Sequence, residues 1–175
     1  LSGIARYSAL NGPWTFYLGH GIVGGMLTCV ACAGPHENQL MDADSRDAYL
    51  VVADSAQPFD VTVERIQNAI ERRGLSLFGT IDHQENAQRA GLSLRPSTVL
   101  SFGNPRVGTP LMVAKPTVAI DLPQRMLVWE EDGRVYVAYN HPTSLLVRHG
   151  LADEKARLEK VAGLLAAIAR EATAP

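Results

Sequence analysis

The side chains in this sequence that could do chemistry sit where predicted strands meet predicted helices or turns. Thr80-Ile81-Asp82-His83 closes a strand with a carboxylate beside an imidazole, a pair that can orient a general base or bind a metal. Asp121 stands between Ile120 and Leu122 and reads as a half-buried carboxylate, which needs a partner. His83 or a helix start at Thr109 could supply one. Asp82, His83 and Asp121 are therefore the candidate catalytic residues of an acid–base enzyme. His83, Asn104, Thr109, Asp121 and Tyr139 make up the candidate ligand-binding set. Asn104 precedes Pro105 and is pushed toward extended geometry, so its amide reaches either a ligand or its own turn. Thr109 with Pro110 behind it fits an N-cap followed by proline, a helix start that would accept an anion. Tyr139 and Trp129 could line an apolar pocket with a polar tip, or pair across strands in a core.

Each of these residues also has a plain structural reading. Asp82 lies three residues before Glu85, the spacing of a helix capping box with Asp in place of Ser or Thr. His83, His141, His149, Asp82 and Asp121 are metal-ligand types, but no H-x-x-x-H or H-E-x-x-H spacing joins them, and no metal is expected. No G-x-S-x-G, P-loop or G-x-G-x-x-G occurs in the domain, so serine hydrolase, nucleotide triphosphatase and dinucleotide chemistry lack their signatures and no cofactor is expected. Both cysteines fall in Cys29-Val30-Ala31-Cys32, upstream of the predicted strands and helices, so the domain itself has neither thiol nor disulfide chemistry.

The elements that must position these groups follow from periodicity. Ala48 to Val52, Leu75 to Ile81 and Thr98 to Phe102 read as strands; Arg125 to Glu130 and Arg134 to Tyr139 flank Glu131-Asp132-Gly133 as a hairpin. Val63, Ile66 and Ile70 give an amphipathic helix over Asp60 to Arg73, with Gly74 past its end. Shorter helices are expected from Asp82 to Gly91, after Thr109, and from Pro142 to His149. Leu158, Val161, Leu164, Leu165 and Ile168 put one apolar stripe on a helix over Asp153 to Ala172. The sum is an α+β two-layer sandwich, a mostly antiparallel sheet with helices packed mainly on one face. The other sheet face is left open to a dimer partner or a ligand.

At 175 residues with 16 Lys+Arg against 18 Asp+Glu, the chain has the size of one domain plus extensions. A formal charge of −2 argues against nucleic acid as a partner. Trp14 to Ala33 is an apolar, glycine-rich stretch of bilayer-spanning length, which suggests a signal-like or anchoring segment over residues 1–33. A polar linker over 34–47 would follow, then the domain over 48–151 and the amphipathic helix over 152–175. Export to the periplasm or membrane anchoring through that segment is the expectation. The poor charged region around Arg6 and the opening Leu also admit an artefactual extension on a cytoplasmic protein.

Several motifs in fixed order then carry a resemblance. Thr80-Ile81-Asp82-His83, Leu94-Arg95-Pro96, Phe102-Gly103-Asn104-Pro105, Gly108-Thr109-Pro110-Leu111-Met112, Asp121-Leu122-Pro123, Val128-Trp129-Glu130, Tyr139-Asn140 and Arg148-His149-Gly150 resemble the domain-of-unknown-function 302 family over roughly Tyr49 to Leu151. One departure is His141 before Pro142, where the family pattern has Asp. The resemblance implies a compact two-layer fold, often dimeric and often exported in bacteria, and supplies no reaction. The functional expectation is a non-enzymatic domain of the cell envelope that binds a small ligand or a second copy of itself. The alternatives are an acid–base enzyme or metal site at Asp82, His83 and Asp121, and a purely structural or interaction domain.

Overall fold

The computed structural model describes residues 49–175, together with Gly3–Ile4 and Gly19–His20, which pair as a two-residue antiparallel ladder in a separate unit of the chain. The apolar segment apart from Gly19 and His20, the Cys29-Val30-Ala31-Cys32 motif and the polar linker lie outside the described residues.

The domain runs β1 (Leu50–Ser55), α1 (Phe59–Arg72), β2 (Ser76–Asp82), α2 (His83–Arg89), β3 (Ser97–Gly103), α3 (Pro105–Ala114), a 3-10 turn (Pro116–Asp121), β4 (Gln124–Glu131), β5 (Arg134–Asn140), α4 (Ser144–His149) and α5 (Lys155–Thr173). The five strands form one antiparallel sheet in the order β1-β5-β4-β3-β2. The β4–β5 hairpin closes through Asp132 and Gly133, both at positive φ, as its two-residue turn requires. Alternation along the strands then fixes the faces. Leu100, Phe102, Met126, Val128, Val135, Val137 and Tyr139 point to the helix side and are buried.

Two helices cover that side. On α1, Ile66, Ala69 and Ile70 fall on one stripe and are fully buried; on α5, Leu165, Ile168, Ala169 and Ala172 do the same. Each large side chain so buried contributes roughly 1.5–3 kcal/mol. The helix pair is also tied at its ends. Glu171 accepts from Arg73 at 2.8 Å and pairs with Arg72, while Arg65 and Gln57 both donate to the Ala174 carbonyl, at 2.6 and 2.9 Å. Helix α5 thus packs its apolar stripe into the core of the domain.

A second apolar cluster lies beside the first and joins Leu111 of α3, Val118 of the 3-10 turn, Leu145 of α4, Leu151 and Leu158 of α5. Helix α3 begins earlier than its proline pattern suggests. Asn104 is extended, with φ −131° and ψ 118°, and its side chain accepts from the Arg106 N–H at 2.9 Å, with Pro105 at the first helical position. The cap expected at Thr109 is therefore at Asn104, and Pro110 sits inside the helix, where its missing N–H leaves the Arg106 carbonyl without its helical donor; the helix ends at Ala114, just before Lys115-Pro116.

Candidate functional site

The residues singled out by chemistry fall at two opposite ends of the sheet. Asp82 closes edge strand β2, opposite Thr98 at the start of β3. Its carboxylate accepts from the Glu85 N–H at 2.9 Å and so caps α2. His83 follows as the first residue of α2, exposed at that corner. Asp121 lies at the other end, just before Gln124, which pairs with Phe102. From Thr98 to Phe102 the sheet advances about 13 Å. The structure does not bring Asp82 and His83 together with Asp121.

Asp121 finds other partners. Its Oδ2 accepts from His149 Nε2–H at 2.6 Å and forms an ion pair with Arg148 Nε at 3.2 Å. The carboxylate is 15% exposed and the imidazole 6%. His149 Nδ1 stands 3.1 Å from Thr117 Oγ1, and in the neutral ring it accepts that hydroxyl. The partner expected from His83 or Thr109 is thus supplied by α4. Gly150, at φ 63°, ends α4 in the left-handed conformation directly after the pair. Thr117, His149 and Asp121 form a continuous hydroxyl–imidazole–carboxylate chain that clamps α4 to the 3-10 turn. Arg148-His149-Gly150 was visible in sequence as a motif, but its partners Asp121 and Thr117 lie 28 and 32 positions upstream of His149, separations that no local pattern encodes.

His141 has a local task. Its Nδ1 is 2.7 Å from Thr143 Oγ1 and accepts from the Thr143 N–H at 3.4 Å, within its own turn. The ring nitrogen takes over the acceptor role that an Asp would have there. Tyr139 points into the helix-side core, and burial pushes its phenol up from the usual value of 10.0 against the opposing pull of Arg170. Trp129 and Tyr136 stack on the open face with ring centroids 5.0 Å apart.

An apolar cleft of about 500 Å³ lies between the two core clusters. Phe102 and Leu165 of the first cluster and Leu111 and Leu158 of the second all line it. Its walls are α3 (Val107, Gly108, Met112), the turn into β4 (Ala119, Leu122, Pro123) and α5 (Val161, Leu164). Phe78, carried on the β-bulge between Leu77 and Gly79, closes one side. The cleft exists because α3 makes little contact with α5. Its polar groups are few: Asn104, Thr109 and Gln124. With Asn104 Oδ1 engaged in its cap, its NH₂ remains as the donor. Of the candidate ligand-binding residues, Asn104 and Thr109 line this cleft, whereas His83, Asp121 and Tyr139 do not. Among the described residues, no three His, Cys, Asp or Glu side chains converge, and no helix is long and apolar enough to cross a membrane.

The cleft has an apolar lining with a sparse polar rim, and its volume falls within the roughly 300–1,000 Å³ common among small-molecule pockets. Comparison with known proteins gives a family and a fold. Curated proteins named fluoride-specific ion channel FluC 1, from Brucella suis biovar 1 (strain 1330), and FluC 2, from Brucella melitensis biotype 1 (strain ATCC 23456 / CCUG 17765 / NCTC 10094 / 16M), are each 40% identical over 106 residues. That is 60% of this chain but only 42% and 39% of theirs, so the chain spans about two fifths of the length of these relatives. The crystal structure of an uncharacterized conserved protein DUF302 from Bacillus stearothermophilus superposes with a TM-score of 0.66 at 21% identity, covering 71% of this chain and 98% of that one. The model of the family described as domain of unknown function DUF302 matches residues 51–171, from β1 through nearly all of α5 and so past Leu151. The chain belongs to the DUF302 family.

Proposed function

We propose that the domain is a non-enzymatic module that binds a small, largely apolar ligand in the cleft between α3 and α5. The observation that carries this reading is the 500 Å³ cleft itself, lined by side chains of both cores with Asn104, Thr109 and Gln124 at its polar positions. A ligand there would bury its apolar body against Leu111, Leu122, Leu158 and Leu164 and hydrogen-bond at one end to the Asn104 NH₂ or the Thr109 hydroxyl. Support for a membrane-side setting comes from the relatives named as fluoride-specific ion channels, of whose length this chain covers about two fifths. In that setting the module would act at the cell envelope beside a membrane protein.

Displacement of an apolar fluorescent dye tests the site. Thr109→Trp should fill the cleft from an exposed position and weaken dye binding by about tenfold or more while leaving the thermal midpoint near that of the parent. If this variant binds dye as the parent does, the cleft is not the site.

A second reading is favoured by the open sheet face. Val52, Ala138, Leu127, Val99 and Ile81 lie in register across all five strands. Val52 is 49% exposed and Ile81 45%. An isologous homodimer would set this row against its copy and remove its exposed ends at Val52 and Ile81 from water. Sedimentation of the parent against Ile81→Asp tests it, because a dimer held by this face would dissociate and an unchanged mass would remove the reading.

A further inference from the structure

A second, smaller pocket lies at the sheet end on the far side of Gln124, lined by Asp121, Gln124, Arg125, Asn140, Pro142, Ser144, Leu145 and Arg148. It has about 40 Å³ of open space, above the roughly 10–15 Å³ that a cavity needs to admit a water. That volume leaves room for a small group and not for a whole nucleotide or sugar.

Its polar lining is basic and donor-rich. Arg125 comes from β4, Asn140 ends β5, and Ser144 and Arg148 come from α4. Arg148 uses Nε on Asp121, at 3.2 Å, which leaves its two Nη groups as donors. No ion pair engages Arg125 among the described residues. Asp121 is the one carboxylate in the lining, and His149 and Arg148 already hold it. The pocket therefore presents two guanidiniums, the two amides of Gln124 and Asn140 and a hydroxyl against one carboxylate that is already paired. Guanidinium forks match the geometry of tetrahedral oxyanions and bind them through two parallel hydrogen bonds.

From this we infer that the Arg125–Arg148 pocket is an oxyanion site that takes a phosphate group, free or as a monoester. The Asp121–His149 clamp is its positioning element, because it fixes the Arg148 guanidinium at the pocket wall. Gln124 lines both this pocket and the apolar cleft, so a monoester with an aliphatic tail could occupy both. The site itself does not depend on occupancy of the cleft.

The test is titration of the full chain with inorganic phosphate, read by backbone amide NMR shifts at Asn140 and Ser144. The expected result is saturable shifts at these residues in the parent, weakened by about tenfold in Arg125→Gln and in Arg148→Gln. Arg125→Gln keeps the proposal testable should loss of the Asp121 partner unfold the Arg148 variant. Octyl phosphate is the second probe. Tighter binding than inorganic phosphate, with the gain lost in Thr109→Trp, identifies an amphiphile headgroup; equal affinity identifies the free anion, and either supports the site. Absence of saturable shifts with both probes, or Arg125→Gln binding as the parent does, overturns it.

Discussion

Replacing His149 by Ala should be among the most destabilising polar changes in this domain. The ring is 6% exposed and donates at 2.6 Å to a carboxylate that is itself 15% exposed. A hydrogen bond to a charged acceptor contributes about 1.5–3 kcal/mol. Loss of the buried ring and of the Thr117 contact adds about 1 kcal/mol more. Arg148 stays 3.2 Å from Asp121, so the carboxylate keeps one cation and the cost stops short of the 3–5 kcal/mol typical of a fully orphaned buried charge. We expect about 2–4 kcal/mol, measured by urea unfolding followed by circular dichroism. With a urea slope of about 1–3 kcal/mol per molar, the midpoint should fall by about 0.7 M or more. The control is Arg89→Ala, whose partner Glu85 is 55% exposed and whose loss should cost about 0.5 kcal/mol or less. A double-mutant cycle of His149→Ala with Asp121→Asn should give a coupling of about 1 kcal/mol or more. Additive behaviour of the two, or a His149→Ala variant within about 0.5 kcal/mol of the parent, would falsify the clamp.

Three further outcomes follow from the packing and the ionisable groups. Hydrogen bonds from Arg73 and Arg72 hold the Glu171 carboxyl below its usual 4.5, so its stabilisation is present above that value and is lost as pH falls through the lower folded value; acid unfolding of Glu171→Gln should show a shallower pH dependence there. Burial raises the Tyr139 phenol above 10.0, so the fold loses stability as pH climbs past that point and the tyrosinate form is favoured in the unfolded chain; Tyr139→Phe should unfold less readily in alkaline titration. Ile168→Ala opens a cavity at a fully buried position between α5 and the sheet and should cost about 2–5 kcal/mol in urea unfolding, whereas Val113→Ala, at a position 79% exposed, should stay within about 0.5 kcal/mol.

Local signals placed the elements well where the information was local. The β4–β5 hairpin, the helix α1 and the helix α5 each depend on residues within one or two turns of one another, and all three form, with Glu131 paired to Arg134 outside the turn and Val161 and Leu164 of the α5 stripe only half-buried. Asp82 as a cap is equally local, since its acceptor and the Glu85 N–H are three residues apart. The start of α3 was misplaced because Asn104-Pro105 and Thr109-Pro110 carry the same cap-then-proline pattern. Sequence alone does not say which of the two is reached first by a chain leaving β3. The candidate site was legible only in part. Asn104 and Thr109 line the cleft, but Leu158, Val161 and Leu164 read as an ordinary helix stripe, with nothing to show that part of it faces a gap.

By itself, the sequence determined which segments are strands and helices, which face of each is apolar, and therefore an α+β sandwich with helices on one side, because periodicity and turn chemistry act over a few residues. Tertiary structure decided the pairings. It gave Asp121 to His149 and Arg148 instead of His83, set Asp82 and Asp121 at opposite ends of the sheet, and left a cleft where α3 fails to close on α5. Those outcomes depend on strand order and on the volumes filled between elements distant in the chain, and both are properties of the assembled sheet rather than of any stretch of residues.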